Sequence, residues 1–322
     1  MTDTHRVPLI EDPLAEALHF LRMDGMFYCQ SELTAPWGVS MPPMADCLWF
    51  HVVTAGSCEL TDSTGHVHRL RDGDVAVLAH GVGHAIADTS DAPCPTVFDV
   101  PHDYISRQFA IMRHGGGGDP ANILCGVVQI GSPAARVLVA QLPEVIVVNA
   151  ASSGSDWMWF PNLMALMANE TRTARPGGET IVTRLCDILV IQAIRAWIEV
   201  EPASHGWLAA LRDPVIGRAI ALVHRDPARD WTVESLASEA AMSRSGFAAR
   251  FSELVGESPK QYVTNWRMHL ARSMLEHDDL SVLETATRLG YQSEASFSRA
   301  FKRVTGISPS AARSASVSEP SA

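Results

Sequence analysis

Between Trp231 and Arg313 one pattern is written twice. Ser243, Phe247, Phe251, Gly256 and Ser258-Pro259 return as Ser293, Phe297, Phe301, Gly306 and Ser308-Pro309, each 50 positions on. The residues ahead of them return at 49 instead: Thr232 as Ser281, Ala237 as Ala286, Met242 as Tyr291. The second copy therefore holds one extra turn residue, near Gln292. A match at fixed period marks a duplicated unit, so this stretch must fold as two similar halves.

Each half reads as helix, tight turn, helix. Thr232 can cap a helix carrying Leu236, Ala237 and Ala240. Ala241-Met242 turns the chain, and Ser243 caps the next helix. Phe247, Phe251 and Leu254 follow at i, i+4 and i+7, one buried face. Gly256 stops that helix, and Ser258-Pro259 starts another. In the second half Ser281 and Glu284 fit a capping box, and Gly290 supplies a turn conformation costly to other residues. Phe297, Phe301 and Val304 repeat the buried face. A helix-turn-helix needs a bracing helix, a small-residue turn and a second helix with one face free for a DNA groove. An all-helical domain of two similar hairpins that never meets DNA is the alternative.

Ser258 to about His277 reads as a single helix, with Tyr262, Trp266, Leu270 and Met274 spaced by four. At 1.5 Å per residue it spans about 28 Å, enough to hold two recognition helices roughly one DNA turn, ~34 Å, apart. One protomer would then meet two successive major grooves. The free face of the first recognition helix offers Arg244, Ser245, Ala248, Ala249 and Ser252. The second offers Glu294, Ala295, Ser296 and Arg299.

These residues resemble the C-terminal domain of AraC/XylS-family transcription regulators. Gly290–Arg313 looks like that family's second helix-turn-helix signature, and Met242–Tyr262 like its first. The resemblance implies DNA contacts at Ser245, Ala248, Ala249, Glu294, Ala295, Ser296 and Arg299. Many relatives carry larger polar side chains where Ala248 and Ala249 stand. A methyl group can touch thymine but cannot hydrogen-bond a base edge, so the second unit should discriminate more than the first. Arg244, Arg250, Arg272 and Arg303 are expected to touch phosphate, or only water. Thr285 stands where relatives bury an aliphatic residue, which should loosen the second brace helix.

A net charge of −11 argues at first against DNA. Residues 1–213 hold 12 basic and 24 acidic residues, net −12, whereas residues 214–316 hold 13 and 11, net +2. Glu319 supplies the last negative charge. The asymmetry fits a DNA-binding C-terminal part and a different partner for the rest. No run reaches membrane-spanning length, and the polar start is not a secretion signal. None of the six cysteines forms a CxxC pair, so they are expected to be reduced in the cytoplasm.

From Cys29 to about Ile130 the texture changes to short strands. Leu48–Leu60, His66–Leu70, Asp74–Ala79 and Ile123–Ile130 are rich in Val, Ile and Leu, with turns at Asp62–Gly65 and Asp72-Gly73. A sandwich or jelly roll follows. Gly73–Asp88 resembles the second cupin motif, with His84 at its metal-histidine position. With Ala35–Val39 and Leu124–Gly126, the stretch looks like the cupin-type sensor of one AraC-family branch.

His51, His80, His84 and Asp88 are candidate metal ligands. A catalytic cupin usually also needs a second histidine and a glutamate in its first motif, yet Val53 stands near His51 and Glu59 is poorly spaced. Imidazole and carboxylate suit iron, zinc or nickel. The bland alternative is a strand histidine satisfied by backbone. No cofactor is required by this reading. Cys29 and Cys125 lie on segments that look like family motifs, and a thiol near a positive partner would be partly thiolate and easily oxidised. Small buried packing residues are the alternative. His51, His84 and the two cysteines are thus the candidate ligand or redox sensors. The glycine run of His114–Asp119 reads as a flexible loop, a gate or a plain connector.

Trp157–Arg172 and Glu179–Glu201 read as helices. The second carries Ile181, Leu185, Ile188, Leu189, Gln192 and Trp197 near one stripe. In the resembling family such helices pack on the cupin and often make a homodimer. Fold class is thus α+β. The divisions are a tail (1–11), a cupin-like sensor (12–150), a helical packing or dimerisation segment (151–205), a linker (206–213), a DNA-binding domain (214–314) with units at 231–256 and 281–306, and a second tail (315–322). The expected partners are double-stranded promoter DNA, a small-molecule or oxidant effector, a second copy of the chain and RNA polymerase. No nucleophile–base motif and no phosphate loop supports an enzyme. The rival reading is a metal-dependent cupin oxygenase that carries a DNA-binding tail.

Overall fold

The computed structural model describes residues 23–131, 133–140, 142–150, 160–173, 177–200, 207–278 and 280–317. They fall into two compact units divided between Glu201 and Pro202. The expected tail 1–11, residues 318–322 of the expected tail 315–322, and residues 157–159 of the expected first packing helix lie outside the described residues; residues 315–317 of that second tail instead end a helix that runs Pro309–Val317.

The N-terminal unit is two sheets face to face. Its strands are β1 (Met23–Thr34), β2 (Gly38–Met41), β3 (Cys47–Ala55), β4 (Ser57–Thr61), β5 (Val67–Arg71), β6 (Val75–Leu78), β7 (His84–Ala87), β8 (His102–Tyr104), β9 (Phe109–Gly115), β10 (Pro120–Ile130) and β11 (Val145–Val148). One sheet runs β11-β6-β3-β10-β1-β9-β8 and the other β2-β7-β4-β5. Side chains alternate across a strand, so each long strand has an inner and an outer set. Cys29 and Leu33 of β1, Trp49 and Val53 of β3, and Ile123, Cys125 and Val127 of β10 enter the core between the sheets, against Val39, Leu60 and Ile86.

Two expectations change here. The single strand expected over Leu48–Leu60 is two, because Gly56 turns the chain at φ +83° with no room for a Cβ, which would stand 2.7 Å from the Pro120 carbonyl. The glycine run is not a loose gate: Gly116 and Gly118 donate to the Thr34 and Ala35 carbonyls, and Gly117 donates to Thr34 Oγ1. A Cβ on Gly115 would stand 1.8 Å from the Thr34 carbonyl, so small size here buys close backbone approach rather than motion.

Helices α1 (Pro133–Val139), α2 (Phe160–Thr173) and α3 (Gly178–Val200) complete the unit. The face that α3 buries is Val182, Leu185, Cys186, Leu189, Val190, Ala193, Ile194 and Ile198, while Ile181 and Ile188 are 41% and 44% exposed. Apolar residues continue past both edges of the stripe, so spacing alone put its centre about one residue off.

The C-terminal unit is helical: α4 (Trp207–Ala210), α5 (Pro214–Arg225), α6 (Val233–Glu239), α7 (Arg244–Val255), α8 (Pro259–His277), α9 (Val282–Arg288), α10 (Glu294–Thr305) and α11 (Pro309–Val317). The caps are those the sequence offers: Thr232, Ser243, Ser258, Ser281 and Ser293 each accept a backbone N–H in the first turn. The expected linker 206–213 is corrected. Trp207 is buried and packs edge-on against His224 (4.8 Å) and Trp266 (5.9 Å), and Asp213 caps α5. An indole buries more apolar area than almost any side chain, which is why this segment joins the helical unit.

Candidate functional site

The two halves of the repeat superpose in their hydrogen bonds. Ala241 and Gly290 both take the left-handed conformation, φ 51° and 79°. The next amides, Met242 and Tyr291, reach back to the Ala237 and Ala286 carbonyls at 2.9 and 3.0 Å. Gln292 then stands as the extra residue before the Ser293 cap, where the first copy passes straight to Ser243. Gly256 and Gly306 close α7 and α10 at φ 88° and 82°. Phe247, Phe251, Phe297 and Phe301 are all within 1% of full burial. Val255, rather than Leu254, completes the buried face of α7.

With the phenylalanines inward, α7 and α10 turn their opposite faces to solvent. On α7, Ser245 and Ala249 are exposed and Ala248 is half-buried. Its arginines are engaged: Arg244 pairs with Glu234 at 2.8 Å, and Arg250 pairs with Asp213 through Nε at 3.0 Å and through Nη2. Arg272 of α8 pairs with Glu276 at 2.8 Å. On α10, Glu294, Ala295 and Arg299 are exposed, and Arg299 has no hydrogen-bond or ion-pair partner among the described residues. Ser296 is tied into the cap, donating to the Ser293 carbonyl at 2.8 Å. The acids that neutralise α7 lie far back in sequence, at 213 and 234, beyond any spacing rule. Thr285 does not loosen α9: it is fully buried, but its hydroxyl donates to the Ser281 carbonyl at 3.0 Å, so no polar group is stranded.

The sensor candidates lie inside the sandwich. Cys29 and Cys125 stand directly opposite each other on antiparallel β1 and β10. Ser31, two residues along and therefore on the same face, places its hydroxyl 3.7 Å from Cys29 Sγ and 3.9 Å from Cys125 Sγ. The sequence reading passed over Ser31; its i+2 spacing from Cys29 on a strand was the available signal. Cys125 Sγ is 3.1 Å from His51 Nδ1, and His51 Nε2 is 2.7 Å from His84 Nε2. His84 Nδ1 is 3.3 Å from the Val82 carbonyl, which can only accept. That fixes the proton order. His84 donates from Nδ1 and accepts at Nε2, His51 donates from Nε2 and accepts at Nδ1, and the Cys125 thiol is the donor. The chain is neutral throughout.

Burial accounts for this. It holds His51 well below its ordinary range, with His84 adding to the effect, and holds His84 down to about 4. It lifts Cys29 to about 11 and Cys125 well above a normal thiol. The expected thiolate beside a positive partner is therefore overturned: the partner is an uncharged imidazole. The two thiols border an apolar cavity of ≈ 30 Å³ with Phe27, Val97 and Phe98.

A cupin metal does not fit these residues. The four ring nitrogens of His51 and His84 already serve hydrogen bonds to one another, to thiol and to carbonyl. His80 is exposed on a turn, bonded to the Leu142 carbonyl at 3.0 Å, and Asp88 accepts from the Trp37 amide at 3.1 Å. Among the described residues no group of three or more His, Cys, Asp or Glu side chains is arranged to hold a metal ion.

Comparison with known proteins agrees with both halves. A cupin family model matches residues 12–199, and a helix-turn-helix domain model matches residues 236–315. A putative AraC-like transcription regulator of Streptomyces lividans is 33% identical over 92% of this chain and 96% of its own length. The regulator AlkR of Acinetobacter baylyi is 28% identical over 92% and 97%, and the RCS-specific activator RclR of Escherichia coli is 28% identical over 81% and 82%. The DNA-binding domain of AdpA, solved with a target DNA, is 36% identical over 31% of this chain and 90% of its own, at a TM-score of 0.30. A cupin joined to a doubled helix-turn-helix, and kinship that runs almost end to end, leave one conclusion: this chain belongs to the AraC-like transcription regulators, which act on double-stranded DNA.

Proposed function

We propose that the protein reads a promoter chiefly through α10 and that its cupin responds to a small molecule or an oxidant. The observation that carries the first half is the contrast between arginines. Arg244 and Arg250 on α7 are neutralised by acids, while Arg299 on α10 is exposed and unpaired among the described residues. An unpaired guanidinium on a groove-facing helix is free to grip the O6 and N7 of a guanine. Selection of DNA fragments with purified protein, repeated with Arg299→Ala, tests it. Losing a base contact should cost ~1–3 kcal/mol and relax one position of the site. An unchanged footprint and affinity remove Arg299 from the reading face.

For sensing, support comes from the facing pair Cys29 and Cys125. Oxidation joins their sulfurs, releasing two protons and passing two electrons to a two-electron oxidant such as a hypohalous acid, which leaves reduced as halide and water. The uncharged His51–His84 chain is placed to accept the Cys125 proton. Since the thiolate is the reactive form, raised thiol pKa values imply slow reaction at neutral pH and selectivity for strong oxidants. Mass spectrometry of oxidised, alkylated protein should find a Cys29–Cys125 linkage. A Cys29→Ser, Cys125→Ser double variant that still responds to every oxidant removes the pair from sensing. The response would change how two DNA-binding units of a homodimer are presented, a population shift of a few kcal/mol. An activating output adds RNA polymerase as a partner.

A further inference from the structure

The outer face of the seven-stranded sheet has two characters. Under α3 it is apolar: Tyr28 and Val77 are buried, and Tyr28 lies against Cys186 of α3. Beside α2 it turns polar. Alternation puts Gln30 of β1 and Asn122 of β10 on this outer face, next to Ile111 and Leu124. α2 packs along α3 instead of settling on the strands, and its Met164 and Met167 roof a cleft of ≈ 390 Å³.

That volume falls in the range of small-molecule sites, roughly 300–1,000 Å³. The cavity between the sheets, at ≈ 30 Å³, falls far below that range. A drug-sized guest therefore has space on the outside of the barrel and none at the thiols.

The lining indicates what guest. The register pairs Glu32 with Asn122 and Gln30 with Leu124, so the two carboxamides are diagonal neighbours on adjacent strands. Both are half-buried, and neither side-chain amide has a hydrogen-bond partner among the described residues; Asn122 accepts from Thr54 only through its backbone carbonyl. Each offers two donors and an acceptor, and both line the cleft, where a guest can meet them. Of the ionised groups beside them, Glu32 pairs with Arg113 at 2.8 Å, and Arg113 also pairs with Asp103 at 2.7 Å. The two carboxamides therefore present uncharged hydrogen-bonding edges, opposite an aliphatic and thioether wall. Met side chains adapt to different guests.

We infer that this cleft binds a neutral amphipathic small molecule, an apolar ring system bearing an amide-, lactam- or ring-carbonyl-like group, held between the sheet and α2. Its role as effector rests on the sensing reading above; its occupancy does not. The test uses the full chain and the neutral dye Nile red, followed by its emission. Saturable enhancement is expected with the wild type. Ala165→Trp, on the exposed side of α2, and Ile111→Trp, on the floor, each fill the cleft and should raise the apparent Kd by about tenfold or more. Ile188→Trp, exposed on α3 and away from the cleft, should leave it unchanged. Binding that survives both filling variants, or no saturable binding by the wild type, overturns the inference. Binding of a selected promoter fragment by the same variants, read separately, shows that they fold and tests the regulator reading on its own.

Discussion

His224 shows how much one buried side chain can decide. Its ring lies 3.6 Å from that of Trp266, with planes 13° apart, and its Nε2 is 2.6 Å from the Tyr262 hydroxyl. Burial alone lowers its pKa to about 3. The folded state resists the proton while the unfolded chain takes it near 6.5, so stability rises with pH between about 3 and 6.5 and is lost as pH falls through that window. By this linkage, at pH 5 the cost is about 2 kcal/mol. Urea titrations at pH 7 and 5 should show that loss, and His224→Gln should remove most of the difference. Equal slopes with pH in both proteins would mean that other groups carry it. The role of His224 was not legible in the sequence, where it sits in an apolar helix with no motif. The thiols were legible as positions but not as chemistry: their charge state depends on His51, brought across from β3 by strand pairing that no local pattern records.

At the scale of elements, the caps and turns of the repeat were legible to the residue. Caps at Thr232, Ser243, Ser281 and Ser293, the stop glycines and the extra Gln292 are all local signals, because helices and turns are decided within a few positions. The sheets were less so. β1 pairs antiparallel with β10 and parallel with β9, across some eighty residues or more, and the strand run cut at Gly56 lies against Pro120 and Ala121, far along the chain. The turn also yields a test. Ala241 holds a left-handed conformation that its copy gives to Gly290. An L-residue pays roughly 1–2 kcal/mol there, so Ala241→Gly should stabilise the protein by about 1 kcal/mol after its larger unfolded-state entropy. A rise in the urea midpoint at constant m-value checks it; a fall would show that the strain is absorbed elsewhere. Gly290 itself cannot be replaced so freely, since a Cβ would come 2.2 Å from the Ala228 carbonyl.

For the molecule as a whole, charge sets the manner of DNA binding. The C-terminal part carries only a small positive excess, and two of its groove-side arginines are already spent on Glu234 and Asp213. Few phosphates are therefore neutralised, and log K should fall with log salt at about 0.9 per phosphate contact. Arg303, exposed near the end of α10 with no partner among the described residues, is suited to one of these contacts. Arg303→Ala should weaken binding evenly across sequences and reduce that slope by about 1. Fluorescence anisotropy over a salt series measures it; an unaltered slope takes Arg303 off the backbone. The burial of Trp207 against His224 and Trp266 has a practical corollary. A chimera spliced at Pro214 would inherit a reader stripped of its tryptophan wedge and of the Asp213 carboxylate that caps α5 and holds Arg250. Cut ahead of Trp207, the same graft would keep both.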